Sequence, residues 1–142
     1  MQSCSRNETV IIATHALREL VAHKDGATVL ALEGELGSGK TTFVQGLAQA
    51  LGITVHIVSP TFVIEKRYPV KGVHGFDCLV HIDAYRLEGS ISSGLKTNEV
   101  FALPRTLVVI EWPEFLGVPL PTGAVYVRFA HKGGDCRSIE IA

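Results

Sequence analysis

The sequence lacks a long apolar run, an excess of charge of either sign and an even set of cysteines. No stretch reaches the roughly 18 apolar residues of a membrane span, because Arg18, Glu19, His23 and Lys24 interrupt the first apolar region. The 13 basic and 14 acidic residues give a net charge of −1, so no strongly basic nucleic-acid-binding surface is indicated. We therefore expect a soluble, cytoplasmic protein with no membrane contact.

The three cysteines, Cys4, Cys78 and Cys136, show no C-x-x-C spacing. An odd number cannot form a closed disulfide set, and His81 near Cys78 lacks the second ligand pair that a zinc site needs. We predict free thiols in a reducing compartment, with no disulfide partner.

The hydrophobic pattern predicts one domain over residues 1–142, without internal repeats. Its predicted elements are a helix over 10–21, a strand over 28–33, a helix over 40–51, strands over 79–82 and 106–110, a short helix over 98–103, and a terminal hairpin over 125–129 and 139–141. Buried apolar strands that alternate with helices indicate an α/β fold with a mostly parallel core sheet and an antiparallel margin.

Residues 34–41 read G-E-L-G-S-G-K-T and match the phosphate-binding loop G-x-x-x-x-G-K-[ST], between a predicted strand and a predicted helix. In such a loop the backbone N–H groups and the helix N-terminus bind phosphates, the lysine reaches the β- and γ-phosphates, and the threonine hydroxyl ligates Mg²⁺. The glutamate at position 35 should point away from bound phosphate. The predicted nucleotide contacts are Gly34, Gly37, Ser38, Gly39, Lys40, Thr41 and Thr42.

A phosphate-binding loop works with a carboxylate at the end of a neighbouring strand, which holds Mg²⁺ or orients the attacking water. Asp83 and Glu111 each follow an apolar run and are the two candidates. Either could instead cap a helix or lie in solvent at a strand end, and the pattern does not decide which one contacts the metal.

Three further side chains each have two interpretations. Thr61, in S-P-T-F, is either a switch threonine that senses the γ-phosphate or part of an ordinary turn. Trp112 precedes Pro113, which favours an extended backbone, and it either fills the core or closes over the site. His81 lies in an apolar strand and is a packed core residue or a catalytic base, the first being favoured.

In this order and spacing, GELGSGKTTFVQGLAQALG, SPTF, HIDAYRL and IEWPE resemble the TsaE (YjeE) family, bacterial ATPases of the tRNA threonylcarbamoyladenosine pathway. The resemblance implies a three-layer α/β domain like that of P-loop NTPases, with ATP and Mg²⁺ as ligands. It also implies that the protein acts with two protein partners, TsaB and TsaD, and that its ATP hydrolysis supports the turnover of the transferase complex. Contact with tRNA would then be indirect, through those partners.

The resemblance also implies a role for individual residues. These roles are phosphate binding by Lys40, Mg²⁺ ligation by Thr41 and Glu111, support of metal and water by Asp83, a switch-like loop at Thr61, an active-site edge at Trp112, and an adenine pocket near Thr9, Val10 and Asp135. Residues 88–95 depart from the family pattern, since their glycines and serines disfavour the usual helix.

We predict slow hydrolysis by the chain alone, because no arginine lies in the loop or at the strand ends to act as a catalytic arginine. Arg86 is the nearest candidate, although a structural salt bridge is the favoured role for it. Two other functions remain open. A small-molecule kinase usually carries an arginine-rich lid, and no such segment is visible. A binding module would use the nucleotide to stabilise an interaction surface.

Overall fold

The computed structural model describes residues 1–58, 65–87 and 96–142. The strands in these ranges are β1 (Gln2–Ser3), β2 (Thr28–Glu33), β3 (Glu65–Pro69), β4 (Cys78–Asp83), β5 (Thr106–Glu111), β6 (Val125–Gly133) and β7 (Cys136–Ile141). The helices are α1 (Arg6–Glu19), α2 (Lys40–Ala50) and α3 (Thr97–Phe101), with 3-10 turns at Val73–Gly75, Tyr85–Leu87 and Pro113–Phe115. The S-P-T-F segment with Thr61 and the divergent 88–95 segment lie outside the described residues.

The strands form one mixed sheet in the order β1-β7-β6-β2-β5-β4-β3. Its centre is parallel, since β2 pairs in parallel with both β5 and β6, and β4 pairs in parallel with β5. The pairs β3–β4, β6–β7 and β1–β7 are antiparallel. The predicted α/β sheet with a parallel core and a C-terminal hairpin is confirmed.

The edge strands β1 and β3 were not predicted. β3 reads E-K-R-Y-P, and only Tyr68 is buried, while Lys66 and Arg67 are exposed. Charged side chains and a proline are typical of sheet edges, where they block pairing with another chain. Such a segment has too few apolar residues to show the strand pattern.

The two long helices pack side by side on one face of the sheet. Ser5 caps α1, because its Oγ accepts from the Glu8 backbone N–H at 3.1 Å. A Cβ added at Gly46 of α2 would lie 2.9 Å from the Ala13 Cβ and 3.0 Å from the Val10 Cα of α1. Glycine at this position therefore lets the helices approach closely. This contact fixes α2, whose first residues belong to the site.

Shorter helical segments cover the other face of the sheet. The buried apolar side chains of β4 and β5 on that face pack against Leu87, Val100 of α3 and Leu116.

The predicted first helix is confirmed, although Val21 lies beyond its end and is 64% exposed. No helix in the described ranges is long and apolar enough to cross a bilayer.

The prediction of three free thiols is wrong for two of them. Cys4 and Cys136, 132 residues apart, form a disulfide, whereas Cys78 is free and half-buried. Pairing of β1 with β7 places Ser3 opposite Arg137 and so brings the two cysteines together. Counting and spacing could not reveal a pair that depends on a two-residue strand at the far end of the chain.

Candidate functional site

The loop between β2 and α2 follows the geometry that its glycines permit. Gly37 and Gly39 have φ of 74° and 104°, in a region that residues with a Cβ rarely adopt. A Cβ on Gly39 would also lie 2.5 Å from the Arg137 Nη1 atom. Gly39 precedes α2 and offers no side-chain cap to its first N–H groups. Glu35 is exposed, as predicted.

Lys40 turns back onto its own loop. Its Nζ donates to the carbonyl oxygens of Gly34 and, at 3.2 Å, of Glu35. The same Nζ lies 3.7 Å from the centre of the Trp112 ring, a cation–π contact. Burial lowers the pKa of Lys40, against the opposing charges of nearby carboxylates, led by Glu111. The ammonium group is thus held by neutral acceptors that an anionic ligand could replace.

The two predicted carboxylates lie opposite each other in register, at the ends of β4 and β5. Glu111 is 3% exposed, and both its oxygens are bonded. Oε1 accepts from the Thr41 hydroxyl at 3.1 Å, and Oε2 lies 2.6 Å from His81 Nε2. Asp83 is half-buried, and its Oδ1 accepts from the Tyr85 backbone N–H at 3.0 Å.

The environment of Asp83 disfavours its charged form. Burial raises the pKa of this carboxyl, the Tyr85 N–H opposes the rise, and the neighbouring charge of Glu111 adds to it. Perturbed carboxyl groups beside a cavity are typical of functional sites.

One cavity of about 610 Å³ joins the loop to both strand ends. Of the predicted site residues, those that line it are Gly37, Ser38, Gly39, Lys40, Thr41, Thr42, Asp83, Glu111 and Trp112. Its volume lies within the range of small-molecule sites, about 300–1,000 Å³. Residues 36–42, 83 and 111–112, far apart in sequence, thus meet at one place.

Trp112 has a backbone conformation that the sequence did not predict. Its φ of 59° and ψ of 53° are left-handed, so the extended geometry expected before Pro113 is wrong. The chain turns sharply from β5 into the 3-10 turn, while Trp112 packs against Tyr85 at 4.9 Å and stacks on Phe115 at 5.6 Å between ring centres. These contacts, with the Lys40 contact, offset a conformation that costs about 1–3 kcal/mol. Trp112 therefore lies half-buried at the cavity wall.

Sequence reasoning missed three residues of the cavity lining, Leu36, Tyr85 and Arg137, whereas Arg86, named as the nearest candidate arginine, also lines the cavity. Arg137 extends from β7 over the start of α2, beside Gly39. Its Nη2 donates to the Asp135 carbonyl at 3.2 Å, and its buried Nε has no hydrogen-bond partner among the described residues. An arginine in a hairpin has no local signal, since its place depends on the pairing of β6 with β2.

Several predicted contacts are not part of this lining. Thr9 is 1% exposed, and its hydroxyl lies 2.8 Å from the Ser3 hydroxyl, which ties α1 to β1. Val10 packs against Gly46. Asp135 is exposed near Arg137, Gly34 lies at the rim as an acceptor for Lys40, and the segment with Thr61 is outside the described residues.

A family model described as "Threonylcarbamoyl adenosine biosynthesis protein TsaE" matches residues 5–139. The chain is 40% identical over 111 residues to a protein of Bacillus subtilis (strain 168) named tRNA threonylcarbamoyladenosine biosynthesis protein TsaE, and the alignment covers 78% of this chain and 66% of that protein. A protein of the same name from Nostoc sp. is 43% identical over 118 residues, 80% of this chain and 69% of the relative. The chain thus spans about two thirds of the length of these relatives.

A solved structure, that of Bacillus subtilis YdiB, superposes on the chain with a TM-score of 0.74. The two sequences are 30% identical, and the match covers 98% of this chain and 80% of YdiB. The family model and the solved structure match nearly the whole chain, and the two relatives match about four fifths of it. The chain therefore belongs to the TsaE family of threonylcarbamoyl adenosine biosynthesis proteins.

Proposed function

We propose that this chain is an ATP-binding and ATP-hydrolysing accessory subunit of the tRNA N6-threonylcarbamoyladenosine modification machinery. One observation carries the proposal: Lys40 and Thr41 line the same cavity as the two strand-end carboxylates, Asp83 and Glu111. Together they make up the parts of a P-loop nucleotide site, on a single P-loop NTPase-like domain. The printed names of the relatives supply the pathway.

Phosphate binding falls to the loop and the start of α2. Gly37 and Gly39, both left-handed, line the cavity, and the helix N-terminus favours anions. Lys40 would exchange its two carbonyl acceptors and the Trp112 face for phosphate oxygens. Because a charged acceptor makes the stronger hydrogen bond, this exchange favours nucleotide binding. Arg137 would add a second cation beside Gly39.

The donors present fit Mg²⁺. The Thr41 hydroxyl and the Glu111 carboxylate lie 3.1 Å apart, with Asp83 opposite, so the cavity presents hard oxygen donors. Two carboxylates and a hydroxyl suit Mg²⁺, which takes one or two carboxylates with waters and substrate phosphates. Bound there, it would neutralise charge on the β- and γ-phosphates.

Thr41 and Glu111 would hold the metal, and Asp83 would support the metal and orient the attacking water. Asp83 suits that role, because Tyr85 is the hydrogen-bond donor to its Oδ1 and the carboxylate lines the cavity. We propose that turnover is slow in the isolated chain and increases with the partners TsaB and TsaD in the cytoplasm. A net charge of −1 supports indirect rather than direct contact with tRNA.

The test is ATP hydrolysis by the purified chain, alone and with the cognate TsaB–TsaD pair, beside a Lys40→Ala variant. We expect weak hydrolysis that increases several-fold with the pair and is lost in the variant. Binding of ATP without hydrolysis, even with both partners, would replace this proposal with a nucleotide-stabilised binding module. Phosphate transfer to a small acceptor would indicate a kinase.

A further inference from the structure

The buried histidine of β4 is in contact with the site rather than isolated in the core. His81 is 0% exposed, and its Nε2 lies 2.6 Å from Glu111 Oε2. An ionised carboxylate can only accept, so Nε2 is the donor in this bond. Leu79, His81 and Asp83 alternate onto the same face of β4, the face that α2 covers, as Glu111 does on β5.

Glu111 is held from two sides. Thr41 on α2 bonds one carboxylate oxygen, and His81 on β4 bonds the other. A carboxylate that is 3% exposed loses most of its hydration, and it is retained at low cost only when hydrogen bonds replace the water. The histidine bond uses the other oxygen, so it would be retained if the Thr41 hydroxyl were to ligate a metal.

We propose that His81 is a positioning residue, which orients the Glu111 carboxylate for the Mg²⁺–nucleotide complex. The inference rests on the proposed function of Glu111 as a metal ligand. Groups that hydrogen-bond metal-ligating side chains set their orientation, and their loss typically lowers metal affinity about 10–100-fold. A histidine that merely filled the core would make no such contribution.

Two amide substitutions separate the roles. In His81→Gln the amide nitrogen reaches the position of Nε2, so a donor to Glu111 is retained. In His81→Asn the amide reaches only the position of Nδ1, so the side chain stays polar but the donor is lost. Val109→Ala is the matched core control, since Val109 lies opposite His81 in register, is fully buried and does not line the cavity.

The measurement is a Mg²⁺ titration of the protein–ADP complex, in which the fluorescence of Trp112, the single tryptophan, is the signal. ADP binding in EDTA is measured beside it. We expect His81→Asn to weaken Mg²⁺ binding about tenfold or more while ADP binding in EDTA is retained. His81→Gln should stay close to wild type, and Val109→Ala should lower Tm without changing Mg²⁺ affinity.

A Glu111→Gln background supplies a second test, which also serves if His81→Asn folds poorly alone. If His81 acts through Glu111, adding His81→Asn to Glu111→Gln leaves Mg²⁺ affinity unchanged. The inference is overturned if His81→Asn binds Mg²⁺ as wild type does, or if it loses the same ADP affinity in EDTA as in Mg²⁺. It is also overturned if His81→Asn still lowers Mg²⁺ affinity when it is added to Glu111→Gln. Wild-type protein that binds ADP equally in Mg²⁺ and EDTA would instead remove the proposed metal site itself.

Discussion

The cavity wall formed by the inner strands differs from the wall formed by the terminal hairpin in how its side chains are held. On the inner wall, Glu111 is 3% exposed and bonded on both oxygens, at the end of a strand that is paired on both sides. On the hairpin wall, Arg137 is half-buried, and its Nη2 donates to the carbonyl of exposed Asp135. Among the described residues, β7, which carries Arg137, has just the two-residue β1 beyond it in the sheet.

This difference suggests that the two walls of the cavity have different roles. Side chains that must hold a metal and a reacting water benefit from a rigid setting, because small displacements there are costly for catalysis. A cation that contributes to nucleotide binding tolerates more freedom. We therefore expect changes on the inner wall to act mainly on hydrolysis, and changes on the hairpin wall to act on affinity and stability.

The largest effect should come from Glu111→Gln. The amide keeps the size of the side chain but removes the charge proposed to hold the metal, so hydrolysis with the two proposed partners present should fall about 10²–10³-fold. ATP binding, measured through the fluorescence of Trp112, is the control that the variant is folded. Retained hydrolysis in this variant would mean that the inner wall is not where the reaction takes place.

The next effect concerns the attachment of the hairpin. The disulfide between Cys4 and Cys136 closes nearly the whole chain into a loop, so Cys4→Ser should lower the free energy of unfolding by about 2–4 kcal/mol. Denaturant unfolding under oxidising conditions measures this change, and Cys78→Ser is the control because that thiol is free. If reductant leaves the stability of the wild-type protein unchanged, the pairing of β1 with β7 suffices to hold this edge.

The inner wall was predictable from sequence because its parts have local signals. The 34–41 loop follows a buried strand and precedes a helix, and Asp83 and Glu111 each end an apolar strand. Parallel strands have their carboxyl ends at one edge, so local patterns were enough to bring these residues together.

The hairpin wall was not predictable in this way. The disulfide and the position of Arg137 depend on contacts between the two ends of the chain, which leave no periodic pattern. Two features of the inner wall were also not predictable from local patterns. The left-handed backbone of Trp112 depends on packing against Tyr85 and Phe115, which overrides the local preference set by Pro113. The bond from His81 to Glu111 joins two strands, so the apolar strand pattern favoured a core histidine over a catalytic base and did not predict this bond.

A smaller effect is expected for Arg137→Ala. Loss of one charged contact should weaken nucleotide binding about tenfold, while hydrolysis at saturating ATP changes little. The matched control is Arg128→Ala on the same hairpin, because Arg128 pairs with Glu33 at 3.5 Å and does not line the main cavity. Equal losses in both variants would indicate a general effect of hairpin charge rather than a contact at Gly39.

The smallest effect should be a gain in stability from Asp83→Asn. Burial raises the pKa of this carboxyl, so the folded chain binds its proton more tightly than the unfolded chain does. Stability then falls as pH rises from the ordinary carboxyl pKa through the raised one, and the full cost of the charge is present at neutral pH. The asparagine Oδ1 can still accept from the Tyr85 N–H, so the substitution removes the charge and keeps the bond.

Because Asp83 is half-exposed, solvent screens much of this cost, and Tm at pH 7 should rise by only about 1–3 °C in EDTA without nucleotide. Asp77→Asn is the control, since Asp77 is exposed and pairs with Arg105 at 2.8 Å, so it should give no gain. The gain should vanish in acid, where both chains carry a neutral side chain. A fall in Tm for Asp83→Asn would mean that Asp83 is held by its surroundings as Glu111 is, and the inner wall would then be rigid at both carboxylates.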